Sequence, residues 1–231
     1  AKCELSTATE TETAGVRTAD HACTTTLDRP DTVNAFSDQL STELVDALKQ
    51  AERDRDVRVV VITGAGKAFS SGQDLAELKE RYVPGYVPQL SKDLHKRYNP
   101  IIKRICGMPK PVIAAVNGVA AGAGCSLALA CDLRIASEKA SFVEVFVNVG
   151  LIPDSGSTYF LPRLIGHARA MELCCTGRKV DAAEALEIGL VNAVVPAEEL
   201  AAAAAKQAAT LARLPGRAIA LTKRLLAHSM S

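Results

Sequence analysis

Lys110-Pro111-Val112-Ile113-Ala114-Ala115-Val116-Asn117-Gly118-Val119-Ala120-Ala121-Gly122-Ala123-Gly124-Cys125-Ser126 is the stretch from which the fold of this chain can be read. Pro109 and Pro111 bracket the start of the apolar run Val112–Val116, which is short and branched enough for a buried strand. Beyond Asn117-Gly118 the chain passes Gly122 and Gly124 and opens an alanine- and leucine-rich helix. The start of a helix carries unpaired N–H groups and the positive end of the dipole. Glycine there permits close approach and unusual backbone angles. Residues 57–80 repeat the plan: apolar Val57–Thr63, then Gly64-Ala65-Gly66, then the loop Phe69-Ser70-Ser71-Gly72-Gln73-Asp74-Leu75. Two N–H groups from two such turns, aimed at one point, make an oxyanion hole. Neither turn is a nucleotide loop. Gly64-Ala65-Gly66-Lys67 lacks the GxxxxGK[ST] spacing, and Gly122-Ala123-Gly124 has no third glycine at the dinucleotide offset.

Outward from these two units the chain reads as alternating strands and helices. Residues 1–20 are polar and Thr-rich, an edge ribbon or a loose arm, and Ala22–Leu27 is a strand. Arg29-Pro30-Asp31 is a turn, and Ser37 caps a helix through about Arg53 with apolar positions at Leu40, Leu44, Val45, Leu48 and Ala51. Residues 80–90 read as a mobile loop, and Leu90–Cys106 as a helix. Short strands follow at Asp132–Ile135, near Ala140–Phe142 and at Val191–Val195. Gly150–Asp154 is a turn, a helix covers Thr158–Leu164, and the remainder is helical with breaks at Gly177, Gly189 and Pro215. This alternation predicts an α/β class with parallel pairing. No low-complexity linker divides the 231 residues, of which 48% are hydrophobic, enough for one sizeable core. Aromatics are 4% and Trp is absent, so alanine and branched aliphatics must fill it.

Charge and composition exclude several function classes. With 27 basic against 26 acidic residues, the net charge of +1 gives no footprint for nucleic acid or an anionic membrane. No apolar run approaches the ~20 residues of a membrane span, and no signal-peptide pattern opens the chain. The seven cysteines have no metal-ligand spacing and read as buried reduced thiols in a cytoplasmic protein.

Four motifs in one order carry a resemblance: Asn34-Ala35, Ala68-Phe69-Ser70-Ser71-Gly72-Gln73-Asp74-Leu75, Lys110 through Gly118, and Gly150-Leu151-Ile152-Pro153-Asp154. From about residue 22 to 228 the chain resembles the crotonase superfamily, the enoyl-CoA hydratases and isomerases. The resemblance implies a crotonase-like ββα spiral core over 1–195 and a C-terminal helical region over 196–231, incomplete beside the family. It puts oxyanion-hole N–H groups at Gln73 and Ala123. Coenzyme A contacts, largely backbone, fall at Val33, Ser71, Gly72, Gln73, Asp74, Leu75 and Ala123. Asp74 is equally a cap for the following helix. The implied substrate is an acyl-CoA, with no metal or separate cofactor, and the implied assembly is a homotrimer or dimer of trimers.

Departures from the hydratase pattern narrow the chemistry. Hydration needs two carboxyls around one water, and hydratases of this family use two glutamates. Their positions here are Ser126 and Phe146, with Glu144 two residues out of register. Asp154 stands where many hydratases have glycine. Locally it reads as a turn or helix cap, whereas the family position faces the acyl group. One carboxylate suffices for isomerisation. The run Ile152-Pro153-Asp154-Ser155-Gly156 is similar to isomerases of phenylacetate catabolism acting on ring-1,2-epoxyphenylacetyl-CoA; a 3-enoyl-CoA is the other substrate. The alternatives are an enoyl-CoA hydratase-like enzyme of other range and a silent acyl-CoA- or RNA-binding relative. A dehalogenase needs Trp at Phe146. Lys92, Lys96, Arg97, Lys103 and Arg104 read as a solvated helix face, as does His95. Tyr82, Tyr86, Tyr98 and Tyr159 are candidates for an aryl-acyl pocket.

Overall fold

The computed structural model describes residues 8–10, 12–81 and 89–229. Its strands are β1 (Ala8–Glu10), β2 (Ala14–Ala19), β3 (Ala22–Leu27), β4 (Val59–Gly64), β5 (Ala68–Ser70), β6 (Val112–Val116), β7 (Val119–Ala121), β8 (Leu133–Ser137), β9 (Ser141–Val143), β10 (Lys179–Asp181) and β11 (Ala193–Val195). They form two sheets. The larger runs β1-β2-β3-β4-β6-β8-β11 and the smaller β10-β9-β7-β5. From β3 to β11 the large sheet is parallel, while β1 and β2 add an antiparallel ribbon at its edge. That ribbon is the edge reading of the N-terminal segment. Of the smaller sheet only β9 was legible, as the short strand near Ala140–Phe142. The members of this sheet have three residues each, too few for alternation to show.

The path repeats one unit. A long strand enters the large sheet, a short one follows in the small sheet, and a helix returns. β4 and β5 lead to α2 (Leu75–Arg81), and β6 and β7 lead to α5 (Ala123–Ala130). β8 and β9 lead through a 3-10 turn to α6 (Ser157–Ile165) and α7 (His167–Thr176). This is the expected ββα spiral. The unit that begins with β3 continues into α1 (Asp38–Arg53) and contributes a single parallel bridge, Phe36 to Gln73, at the β5 edge.

Ser37 caps α1 by accepting the Leu40 N–H, as its position in the sequence predicts. Leu40, Leu44, Leu48 and Ala51 face the core. Burial of each leucine is worth about 2 kcal/mol. Leu90 to Gly107 is helical throughout as α3 (Leu90–Asp93), a π turn and α4 (Asn99–Gly107). The main core lies between sheets and helices and is mostly Leu, Ile, Val and Ala. A second cluster packs the outer sheet face, Val59, Val61, Ile113 and Ala115, against α9 (Leu200–Ala212). α10 (Gly216–His228) buries no residue fully. Lys223 anchors it by donating to the Ile105 and Lys110 carbonyls and to Asp132 at 2.7 Å. Among the described residues no helix is long and apolar enough to cross a membrane.

Two readings need correction. Arg97 is not part of a solvated face. It is 2% exposed and ion-paired with Asp38 at 2.5 Å and Glu77 at 3.4 Å, because the π turn rotates it beneath α1 and α2. Lys96 pairs with Asp38 and Arg104 with Glu52, so this face is charge-compensated. The described cysteines are all free, but Cys175 is exposed at the end of α7 rather than buried.

Candidate functional site

Two glycine turns meet at the junction of the small sheet with α5. In the first, the Phe36 N–H donates to the Gly72 carbonyl at 2.7 Å and the Asp74 N–H to the Phe36 carbonyl at 3.1 Å. Alternation along an extended segment turns the Gln73 N–H between them away from this bridge. Gly72 has φ of +88°, and a Cβ there would lie 2.7 Å from the Ala121 carbonyl oxygen and 3.3 Å from the Ala123 nitrogen. Glycine at 72 is therefore what lets the two turns touch. Gly124 is equally confined: its Cβ would stand 2.4 Å from the Ser70 carbonyl oxygen. The Ala123 N–H begins α5, where no intrahelical acceptor exists. Among the described residues neither the Gln73 nor the Ala123 N–H has an acceptor.

The other residues singled out in the sequence fall around this junction. The Ser71 N–H donates to the Val33 carbonyl at 3.0 Å, joining those two segments. Asp74 is buried, and both its oxygens are engaged. Oδ1 accepts the Ala76 and Glu77 N–H groups at the start of α2, and Oδ2 pairs with Arg29 at 2.8 Å. Burial works to raise its pKa, but Arg29 and the helix N–H groups outweigh it and hold the carboxyl below its ordinary value. The side chain of Asp74 is thus a helix cap. Leu75, by contrast, is 67% exposed at the rim. Tyr98 packs edge-on against Phe36 with ring centroids 5.7 Å apart and donates its hydroxyl to Gln73 Oε1. Tyr159 lies elsewhere, beneath Arg163 in an apolar groove under α10. His95 is exposed on its helix. Tyr82 and Tyr86 lie outside the described residues.

Asp154 sits in the turn before α6. The turn closes through the Ser157 N–H to the Asp154 carbonyl, with Ser155 and Gly156 both at positive φ. Gly156, not Asp154, occupies the N-cap position of α6. The Asp154 carboxyl accepts only from the Ser155 hydroxyl, at 2.8 Å, among the described residues. The capping explanation for this acid therefore fails. Burial raises its pKa, with Ser155 opposing. Ser126, in the position of the first hydratase glutamate, is fully buried. Its hydroxyl reaches the carbonyls of Gly122 at 3.1 Å and Asp154 at 3.2 Å and the Ser157 Oγ at 2.7 Å. Phe146 fills the second position, its ring edge 3.9 Å from where a Cβ on Gly122 would be. Glu144 is 2% exposed and hydrogen-bonds the Ser157 hydroxyl through Oε1 at 3.0 Å. The Ser126–Ser157–Glu144 chain was missed from the sequence. Ser126 and Glu144 were singled out only against the hydratase glutamate positions, and Ser157, which joins them across 31 and 13 residues, carried no signal.

Comparison with known proteins agrees with this architecture. The family model for enoyl-CoA hydratase/isomerase matches residues 17–231. The chain is 45% identical over 205 residues to the 1,2-epoxyphenylacetyl-CoA isomerase of Escherichia coli K12, covering 88% of this chain and 77% of that protein. It is 41% identical over 206 residues to a probable enoyl-CoA hydratase of Rhodobacter capsulatus, covering 89% and 77%. Among solved structures, a putative enoyl-CoA hydratase from Streptomyces coelicolor superposes with a TM-score of 0.88 at 36% identity, over 96% of this chain and 81% of that one. With paired glycine turns on a ββα spiral and a family match over nearly its whole length, the chain belongs to the enoyl-CoA hydratase/isomerase family.

Proposed function

We propose that this enzyme isomerises an acyl-CoA thioester through an enolate, with Asp154 as the sole acid/base. The observation that carries this reading is the pair of N–H groups, Gln73 and Ala123, without partners among the described residues, at the junction to which Asp154 is tied through Ser126. A thioester oxygen there would accept both. Proton loss from the α-carbon to Asp154 moves charge onto that oxygen, where each preset donor lowers the barrier by about 3–4 kcal/mol. The protonated Asp154 then returns the proton to another carbon, so no atom is gained or lost. A 3-enoyl thioester becomes the 2-enoyl isomer. A ring-1,2-epoxide thioester opens to its oxepin isomer. Likeness to the Escherichia coli enzyme favours the epoxide as the physiological class.

Hydratase activity is disfavoured by chemistry, because hydroxyl and phenyl groups stand at the two glutamate positions. Val33, Ser71, Gly72, Asp74 and Leu75 would border the coenzyme A moiety, chiefly through backbone. The chemistry calls for no metal or redox group. A cytoplasmic setting and a trimer or dimer of trimers belong to the same proposal, on the strength of family resemblance. A panel of crotonyl-CoA, 3-hexenoyl-CoA and the phenylacetyl-CoA epoxide tests the reading. Isomer formation from the last two with little hydration of the first is expected. Efficient crotonyl-CoA hydration would overturn it.

A further inference from the structure

The chain from Glu144 to Asp154 contains more links than its serines have protons. Glu144 Oε1 to Ser157 Oγ is 3.0 Å, Ser157 Oγ to Ser126 Oγ is 2.7 Å, and Ser126 Oγ lies 3.1–3.2 Å from the Gly122 and Asp154 carbonyls. Each link needs a hydrogen between its oxygens. Two hydroxyls supply two. If Glu144 were ionised, it would draw the Ser157 hydrogen, and Ser126 would turn its own toward Ser157, leaving the carbonyls. If Glu144 is protonated, it donates to Ser157, Ser157 donates to Ser126, and the Ser126 hydrogen is free for the Asp154 carbonyl. All three links are then made.

We propose that Glu144 works as a neutral carboxylic acid and is the positioning residue that, through Ser157 and Ser126, pins the backbone of Asp154 against the start of α5. This rests on the reading of Asp154 as acid/base. The surroundings agree. Glu144 faces the Cys125 thiol on α5, the Cys174 thiol on α7, and Ser157 and Asp154 at the start of α6, with no cation among its described neighbours. Its Oε2 has no hydrogen-bond partner among the described residues. Burial and the charge of Asp154 push the acid up to about 7, with Cys125 and Ser157 opposing. Ionisation at higher pH would retract the Ser126 hydrogen from Asp154.

Two measurements test this. Difference infrared spectra of wild type against Glu144→Gln need no turnover. A protonated-carboxyl carbonyl band at about pH 6 that disappears by about pH 9 is expected. A carboxylate band already present at about pH 6 would overturn the proposal, whatever the substrate proves to be. The second is the pH profile of kcat for 3-hexenoyl-CoA isomerisation. Wild type should lose kcat above about pH 7. Glu144→Gln, whose amide donates to Ser157 without titrating, should lack that descending limb. Glu144→Leu, unable to donate, should lower kcat by about tenfold at every pH with little change in KM. A descending limb that persists in Glu144→Gln would also overturn the proposal. Absence of any turnover in wild type would instead count against the isomerase reading and leave the infrared result standing.

Discussion

The two glycine turns each carry an N–H with no acceptor among the described residues and touch at one junction, yet they are held in different ways. The first, from β5 into α2, depends on borrowed polar side chains. Asn34 donates to the Ala65 and Ala68 carbonyls and accepts from the Arg29 N–H; Arg29 pairs with Asp74; Asp74 caps α2. The second, from β7 into α5, depends on contact. All eight residues of α5 are buried, and Gly124 lies against β5 with no room for a methyl group. One half of the site is a lattice of largely buried polar side chains and the other is a wedge of close backbone contact in the core. The polar half therefore has give, while the wedge sets the distance between them.

The largest expected effect follows from the wedge. Gly124→Ala would force α5 off β5, and we expect a loss of about 3 kcal/mol or more in denaturant unfolding, with activity lost in proportion. A loss below about 1 kcal/mol would mean the second turn also has give. Next comes Asn34→Ala. Removing a fully buried amide leaves the Ala65 carbonyl and the Arg29 N–H without partners, while the Ala68 carbonyl keeps Asn117, at a cost of about 2–3 kcal/mol. Glu144→Gln probes whether titration disturbs the wedge from behind. A buried acid whose folded pKa exceeds its unfolded value gives stability that is present at low pH and lost as pH rises. From the ordinary 4.5 to about 7, wild type should lose about 2–3 kcal/mol relative to Glu144→Gln, read from urea midpoints across that range. Smallest is Arg29→Met. Its partner Asp74 still caps α2 and the pair is partly solvated, so about 1 kcal/mol is expected.

The same contrast explains what the sequence made legible. β3, β6, α1 and its Ser37 cap were readable because apolar runs and helical spacing report burial directly. β5, β7 and β10 were not, since three-residue strands carry no period. The candidate site was reached through motif order, which brought Gln73, Ala123 and Asp154 forward together as what the resemblance implies. Burial of Arg97 and the chain from Glu144 through Ser157 to Ser126 depend on contacts between distant segments, which no local pattern records. The local reading of Asp154 as a cap failed because the turn spends two positive-φ residues before the helix begins.

Asp154→Asn on 3-hexenoyl-CoA tests the central claim most directly. The amide keeps the turn and its size but cannot carry the proton. With unfolding unchanged and CoA-ester binding intact, kcat should fall by about 10²–10⁴-fold. Turnover within about threefold of wild type would contradict Asp154 as the acid/base and with it the one-carboxylate mechanism.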